Sequence, residues 1–229
     1  MQKILKKPVS NESFLQLINL LPALDMHNGP WIAGGSARRL WLDQDWNTQD
    51  VDVFFTDDLS RHAWCSELGI KWNNSNNVQP INQIISFDQL FCASPVRSVP
   101  DSHSRDMELV ITTDNADTYN LYYSDNDVLN TTSLQLIKHG YHENICKLWD
   151  DFDFTISCFA TDGREIWAWQ NSVQDALDMQ ININNITKRD NLALRLVKHH
   201  AYGFKIDDQL LMEAADLISR GEFQWPMNY

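Results

Sequence analysis

Three short stretches of this chain carry residue types that could do chemistry together. Trp31-Ile32-Ala33 runs into Gly34-Gly35-Ser36, Asp50-Val51-Asp52-Val53-Phe54-Phe55 follows, and Asp151-Phe152-Asp153-Phe154-Thr155-Ile156 comes later. A pair of glycines after an apolar strand lets the backbone turn tightly and leaves no Cβ in the way of a ligand. The helix expected from Ser36 to Leu42 starts at that turn, and the unpaired N–H groups of a helix N-terminus suit phosphate. On a strand, the period of two sends Asp50, Asp52 and Phe54 to one face and Val51, Val53 and Phe55 to the other. At about 3.3 Å per residue the two aspartates sit roughly 7 Å apart at the Cα level. Their oxygens can converge on a hard divalent cation, which takes carboxylate, water and phosphate oxygens. A pair of such ions about 4 Å apart would clamp the attacking and leaving oxygens of a phosphoryl displacement. The chemistry implied is that of a nucleoside triphosphate with Mg²⁺.

Each part alone has a plainer explanation. A Gly-Gly-Ser turn is commonly just a turn, and an Asp-x-Asp strand can be an edge wetted by solvent, although like charges side by side repel. The combination argues otherwise: strand, glycine turn, helix, then the acidic strand. Asp153 lies in an otherwise apolar run ending Phe159-Ala160, which asks for an electrostatic reason, and a metal supplies one. Asp153 is therefore expected on a strand of the same sheet, with Asp151 on the same strand face as its alternate.

With these residues in place, the chain resembles the nucleotidyltransferase superfamily of polymerase-β type. The stretch from Trp31 through Arg38 and on to Asp50-Val51-Asp52 is similar to the head of its tRNA nucleotidyltransferase and poly(A) polymerase branch. Asp153-Phe154-Thr155-Ile156 is similar to the Arg-Arg-Asp-Phe-Thr-Ile segment of that branch, but Asp151 and Phe152 stand where it has two arginines. Leu134-Gln135-Leu136-Ile137 and Phe152-Asp153-Phe154-Thr155 resemble small phage-encoded nucleotidyltransferase-like proteins more closely. The similarity is concentrated in the acidic segments, extends to the region of Arg195, and is absent over roughly 60 to 105.

The resemblance implies an α+β fold, a mixed β-sheet with helices packed on one side, followed by a small C-terminal helical region. The implied activity is metal-dependent transfer of a nucleoside monophosphate from an NTP such as ATP to an acceptor hydroxyl, with release of pyrophosphate. Asp50, Asp52 and Asp153 are then the catalytic and metal-binding residues for Mg²⁺ or Mn²⁺, with Asp153 as metal ligand or general base toward the acceptor. Gly34, Gly35, Ser36 and Arg38 would bind nucleotide and phosphate. The alternative is a catalytically idle protein on the same fold that binds nucleotide or inhibits a partner.

The remaining elements frame this site. The division expected is a catalytic unit over 1–170, with an irregular Asn-, Ser- and Pro-rich insertion at about 70–106, and a helical region over 171–229. Ser10 is a candidate cap for a helix through Phe14, Leu17 and Leu21, and Asp57 or Asp58 for one carrying Trp64 and Leu68. A short element is expected around Ile81 to Phe87. Met107–Thr113 and Tyr119–Tyr123 predict a hairpin, followed by a strand at Leu134, a helix near Asn144–Trp149, and Glu165–Trp169 after the Asp162-Gly163 turn. Farther on, Arg195, Lys198 and His199 are spaced i, i+3, i+4 and share one helix face. That face either closes over a triphosphate, with Arg195 and Lys198 as phosphate ligands, or is simply solvated.

Composition limits the partners. The 229 residues hold 18 Lys and Arg against 31 Asp and Glu, a formal net charge of −13, so no extended nucleic-acid surface is expected. A tRNA end, a protein side chain and a small molecule all remain open as acceptor. Cys65, Cys92, Cys146 and Cys158 lack zinc-site spacing and read as reduced thiols. The chain shows no long apolar span and no signal-like start. A cytoplasmic protein without membrane partners is expected, within a host cell if phage-encoded.

Overall fold

Val51 and Val53 are fully buried and alternate with Asp52 and Phe54 on a central strand, β3 (Val51–Phe54). The computed structural model describes residues 2–46, 50–69, 105–113, 115–125, 128–185 and 192–219. The element expected at 81–87, with nearly all of the insertion expected at 70–106, lies outside them. β3 pairs antiparallel with β2 (Trp31–Ala33) and parallel with β6 (Val128–Ile137). Beyond β6 come β5 (Ala116–Asp125) and the edge strand β4 (Arg105–Thr112), the expected hairpin. Beyond β2 lie β7 (Phe159–Thr161), β8 (Glu165–Trp169) and β1 (Ile4–Pro8). The eight strands form one mixed sheet in the order β1-β8-β7-β2-β3-β6-β5-β4.

Local chemistry sets the helices. α1 (Glu12–Leu20) is capped by Asn11, not Ser10, because the Asn11 Oδ1 accepts from the Phe14 N–H at 3.0 Å. α2 (Gly35–Trp41) starts at the glycine turn, where Gly34 has a φ of +84° that favours glycine. α3 (Asp58–Glu67) begins with a capping box between Asp57 and Ser60, and α4 (Ile145–Asp150) is capped by Asn144. α1, α2, α3 and α5 (Gln170–Leu177) pack on one side of the sheet, through Phe14, Leu17, Leu40, Trp64, Val173 and Ala176. The opposite face carries Trp31, Ala33, Ala160, Trp167 and Trp169, and the short α4 packs there through Ile145, Leu148 and Trp149. Asp52 and Phe54 emerge on this second, less covered face.

After α5, α6 (Leu192–Ala201) and α7 (Asp208–Ser219) bury Leu192, Leu196 and Leu210 with Phe204 against Phe154 and Ile156. The segment bearing Asp153 is therefore gripped between the sheet and these helices. It is not the strand expected. Residues 151–153 form a turn, Thr155–Ser157 is a single 3₁₀ turn, and β7 begins only at Phe159. Alternating Phe152, Phe154 and Ile156 imitates a strand, but the backbone closes short bonds, with the Ser157 N–H donating to the Phe154 carbonyl at 3.0 Å. The Asp153 carbonyl accepts from the N–H groups of Asn184 and Asn185 at 2.7 and 3.2 Å, outside any strand ladder.

Candidate nucleotide and metal site

Asp52 sits opposite Ala33 on β2 and Gln135 on β6, so the strand register places it beside the turn that follows Ala33. A Cβ added to Gly34 would lie 3.9 Å from Asp52 Oδ2. Asp50, exposed just before the strand, is oriented by the Gln135 amide, whose Nε2 donates to Asp50 Oδ2 at 2.8 Å. Gln135 thus fixes the orientation of the Asp50 carboxylate. Burial first, and then the charge of Asp50, push the Asp52 carboxyl up to about 7, while Lys198 acts in the opposite direction. An acid whose proton affinity is raised by burial and by a neighbouring acid is a donor that a hard cation would relieve.

A cavity of about 670 Å³ opens over this face. Of the residues named from sequence, Gly34, Gly35, Arg38, Asp52, Asp153, Arg195 and Lys198 line it, whereas Ser36 and Asp50 do not. Ser36 is buried and donates its hydroxyl to the Asp50 carbonyl at 2.9 Å, so its side chain braces the acidic strand. Arg38 is 4 % exposed; its Nη1 donates to the Ile156 carbonyl at 3.1 Å and its guanidinium lies 4.9 Å from the Phe204 ring centre. Burial, with a smaller push from Arg39, lowers its pKa to about 10.

Asp153 stands apart from the other two acids in what it binds. It is 4 % exposed, its Oδ2 is engaged by Arg195 Nη1, and its Oδ1 is buried without a hydrogen-bond partner. Among the described residues no three His, Cys, Asp or Glu side chains come together to hold a metal ion. Asp153 is held in an ion pair with Arg195, away from the Asp50–Asp52 strand. His199 joins the same wall. Burial, then Arg38, Lys198 and Arg195, lower its pKa to about 4, and its Nδ1 is buried without a partner. It is a neutral ring among cations rather than a third positive charge.

The other wall was not anticipated. Asp151, expected to back up Asp153 on one strand face, instead faces His142, with Oδ2 and Nε2 3.8 Å apart. Both line the cavity, as does His139. The run Lys138-His139-Gly140-Tyr141-His142 directly after a strand was the available signal.

The fold is similar to that of CCA-adding enzymes of known structure. A CCA-adding enzyme of Thermotoga maritima complexed with tRNA superposes with a TM-score of 0.50 at 15 % identity, over 97 % of this chain and 47 % of that one. A CCA-adding enzyme in complex with ATP superposes with a TM-score of 0.52 at 14 % identity, again over 97 % of this chain and 47 % of that one. The chain thus spans about half the length of these enzymes. No curated protein matches it. The sequence profile of the Gabija anti-defense 2 family, Gad2, matches residues 5–178, and the chain belongs to that family. No helix among the described residues is long and apolar enough to cross a membrane.

Proposed function

We propose that this Gad2-family protein is a nucleotidyltransferase that moves a nucleoside monophosphate from an NTP to an acceptor hydroxyl and releases pyrophosphate. The observation that carries this is Asp52 in a basic-walled cavity beside a glycine turn, with Asp50, held by Gln135, two residues before it. Asp50 and Asp52 would hold Mg²⁺ or Mn²⁺, which supplies charge neutralisation at the phosphates and acidifies the attacking hydroxyl. Gly34 and Gly35 admit the polyphosphate close to the backbone. Lys198 and Arg195, on one face of α6, offset the charge that gathers on the leaving pyrophosphate. The free Oδ1 of Asp153 accepts from a hydroxyl or amine of the nucleoside, which removes an otherwise costly buried acceptor. The counter-defence role that the family description names is then exercised by modifying an acceptor.

The second reading is a catalytically idle nucleotide binder that inhibits a partner. It is favoured by the Asp153–Arg195 pair, which occupies one of the three acids expected to hold metal. One experiment separates the two: incubation with each labelled NTP and Mg²⁺ or Mn²⁺ in cell extract, reading pyrophosphate release. Release that disappears in Asp52→Asn supports transfer; nucleotide binding without release supports the inhibitor.

A further inference from the structure

The cavity has two ends, and they differ in chemistry. Along β3 the chain advances about 3.3 Å per residue, so Asp52 and Phe54 face the same hollow at successive levels. At the Asp52 level lie the glycine turn and the cations of α2 and α6. At the Phe54 level the walls come from other elements. Phe54 and Phe152 meet edge to face with ring centres 5.6 Å apart, and Leu148 and Ile137 extend this apolar floor. The loop after β6 closes the end, pinned to β3 by the His142 N–H donating to the Phe55 carbonyl at 3.3 Å. On its rim stand His139, His142 and Asp151.

None of the described residues lining this second end is Lys or Arg. Lys138, next to the loop, spends its ammonium on Asp117 Oδ1 at 2.6 Å and the Thr113 carbonyl at 3.0 Å. Lys147 on α4 pairs with Asp150 at 3.6 Å. A polynucleotide end would bring phosphates to a wall whose described residues offer Asp151 and no Lys or Arg, in a chain of net charge −13. An apolar or aromatic body with one hydroxyl fits instead. The floor provides contact area but few polar anchors, so a free polar metabolite gains little there. A side chain delivered by a larger protein surface is held by contacts elsewhere and needs only to fit.

We infer that the Phe54–Phe152 end of the cavity is the acceptor subsite, and that the acceptor is a hydroxyl-bearing side chain of a protein, an aromatic one fitting best. This rests on the nucleotidyltransferase reading above. The acceptor oxygen forms a bond to the α-phosphorus, the bond from that phosphorus to the α,β-bridging oxygen breaks, pyrophosphate leaves with the electron pair, and the hydroxyl proton passes to solvent. The product is a phosphodiester-linked nucleoside monophosphate on the protein.

The test uses the full chain with labelled ATP, CTP, GTP or UTP, Mg²⁺, and cell extract, in nuclease-treated and protease-treated arms. The expected result is label that survives nuclease, is lost with protease, and is released by phosphodiesterase. Asp151→Lys and His139→Lys, both at the rim, are expected to reduce protein labelling by about tenfold or more. Calorimetric affinity for Mg²⁺-nucleotide should stay within about twofold. Label in a nuclease-sensitive fraction, or unchanged labelling in both variants, overturns the assignment. Mg²⁺-nucleotide binding with no transfer in any arm overturns it too while sparing the nucleotide site. Absence of nucleotide binding removes the nucleotidyltransferase reading itself.

Discussion

Two guanidinium–carboxylate pairs with a buried carboxylate stand out among the described residues, and they are finished to different degrees. On the helix-covered side, Arg61 Nη1 donates to Asp117 Oδ2 at 3.4 Å and Arg61 Nη2 to Asp58 Oδ1 at 3.2 Å. The other oxygen of Asp117 accepts from the Thr112 hydroxyl at 2.9 Å and from Lys138 at 2.6 Å. Burial opposes the charge of Arg61, but Tyr141 and Asp58 outweigh it and hold its pKa above the usual value. On the open side, Arg195 engages one oxygen of Asp153 and leaves the other bare, while burial alone lowers the pKa of Arg195. A pair with every oxygen spoken for fastens α3 to β5. The pair with one oxygen unclaimed lines the cavity.

Substitutions can break or sharpen this contrast. The largest effect is expected outside both pairs: Asp52→Asn should reduce transfer by about a thousandfold or more with the fold retained, read by pyrophosphate release and a thermal melt. Asp117→Asn should cost about 3 kcal/mol of stability in chemical denaturation, because it removes the buried charge that Arg61 and Lys138 share, and leave nucleotide affinity alone. Asp153→Asn should show the reverse profile. Its expected stability cost is about 1 kcal/mol, since Arg195 is half exposed and can turn to water, while nucleotide affinity drops about tenfold by calorimetry. Equal profiles for the two asparagine variants would erase the distinction drawn between the pairs.

Acidity gives the smallest and subtlest test. Asp52 titrates at about 7 in the folded protein against an ordinary 3.8, so it keeps its proton in the native state and weakens the fold as pH rises between those values. His199 titrates at about 4 against an ordinary 6.5, so it weakens the fold as pH falls between those values. Over nearly the same interval the two oppose each other. Asp52→Asn leaves His199 unopposed and should lose Tm on acidification from about pH 6.5 to 4 more steeply than the parent chain. Parallel Tm–pH curves for the two proteins would contradict the raised Asp52 pKa.

What could be read from sequence was what depends on neighbours in the chain. Alternation marked Val51 and Val53 as core and Asp52 as facing outward, the two glycines marked the turn, and the spacing of α6 put Arg195 and Lys198 on one face, as their shared cavity bears out. β1 escaped notice because its lysines and Pro8 disguise an edge strand, where Leu5 packs inward and Lys6 lies over Trp167. The partners of Asp153 were hidden for another reason. Arg195 is 42 positions away, and the 3₁₀ turn that aims the carboxylate is held by Arg38 and the C-terminal helices rather than by its own residues. Ser36 shows the same limit: its type was recognised, but whether its hydroxyl faces ligand or backbone is decided by where Asp50 lies.

β3 and β6 are the one parallel pair among the described strands, and that has a consequence for change over time. Strands that run side by side in one direction cannot be joined by a tight hairpin, so the chain must make an excursion between Phe54 and Val128. α3, β4 and β5 all belong to that excursion. Its parts that do not touch β3 or β6 can be rewritten without shifting Asp52 against Gln135, whose alignment is set by those two strands with β5 alongside. The molecule therefore carries a built-in place for grafting new recognition surface, insulated from the acids it leaves untouched.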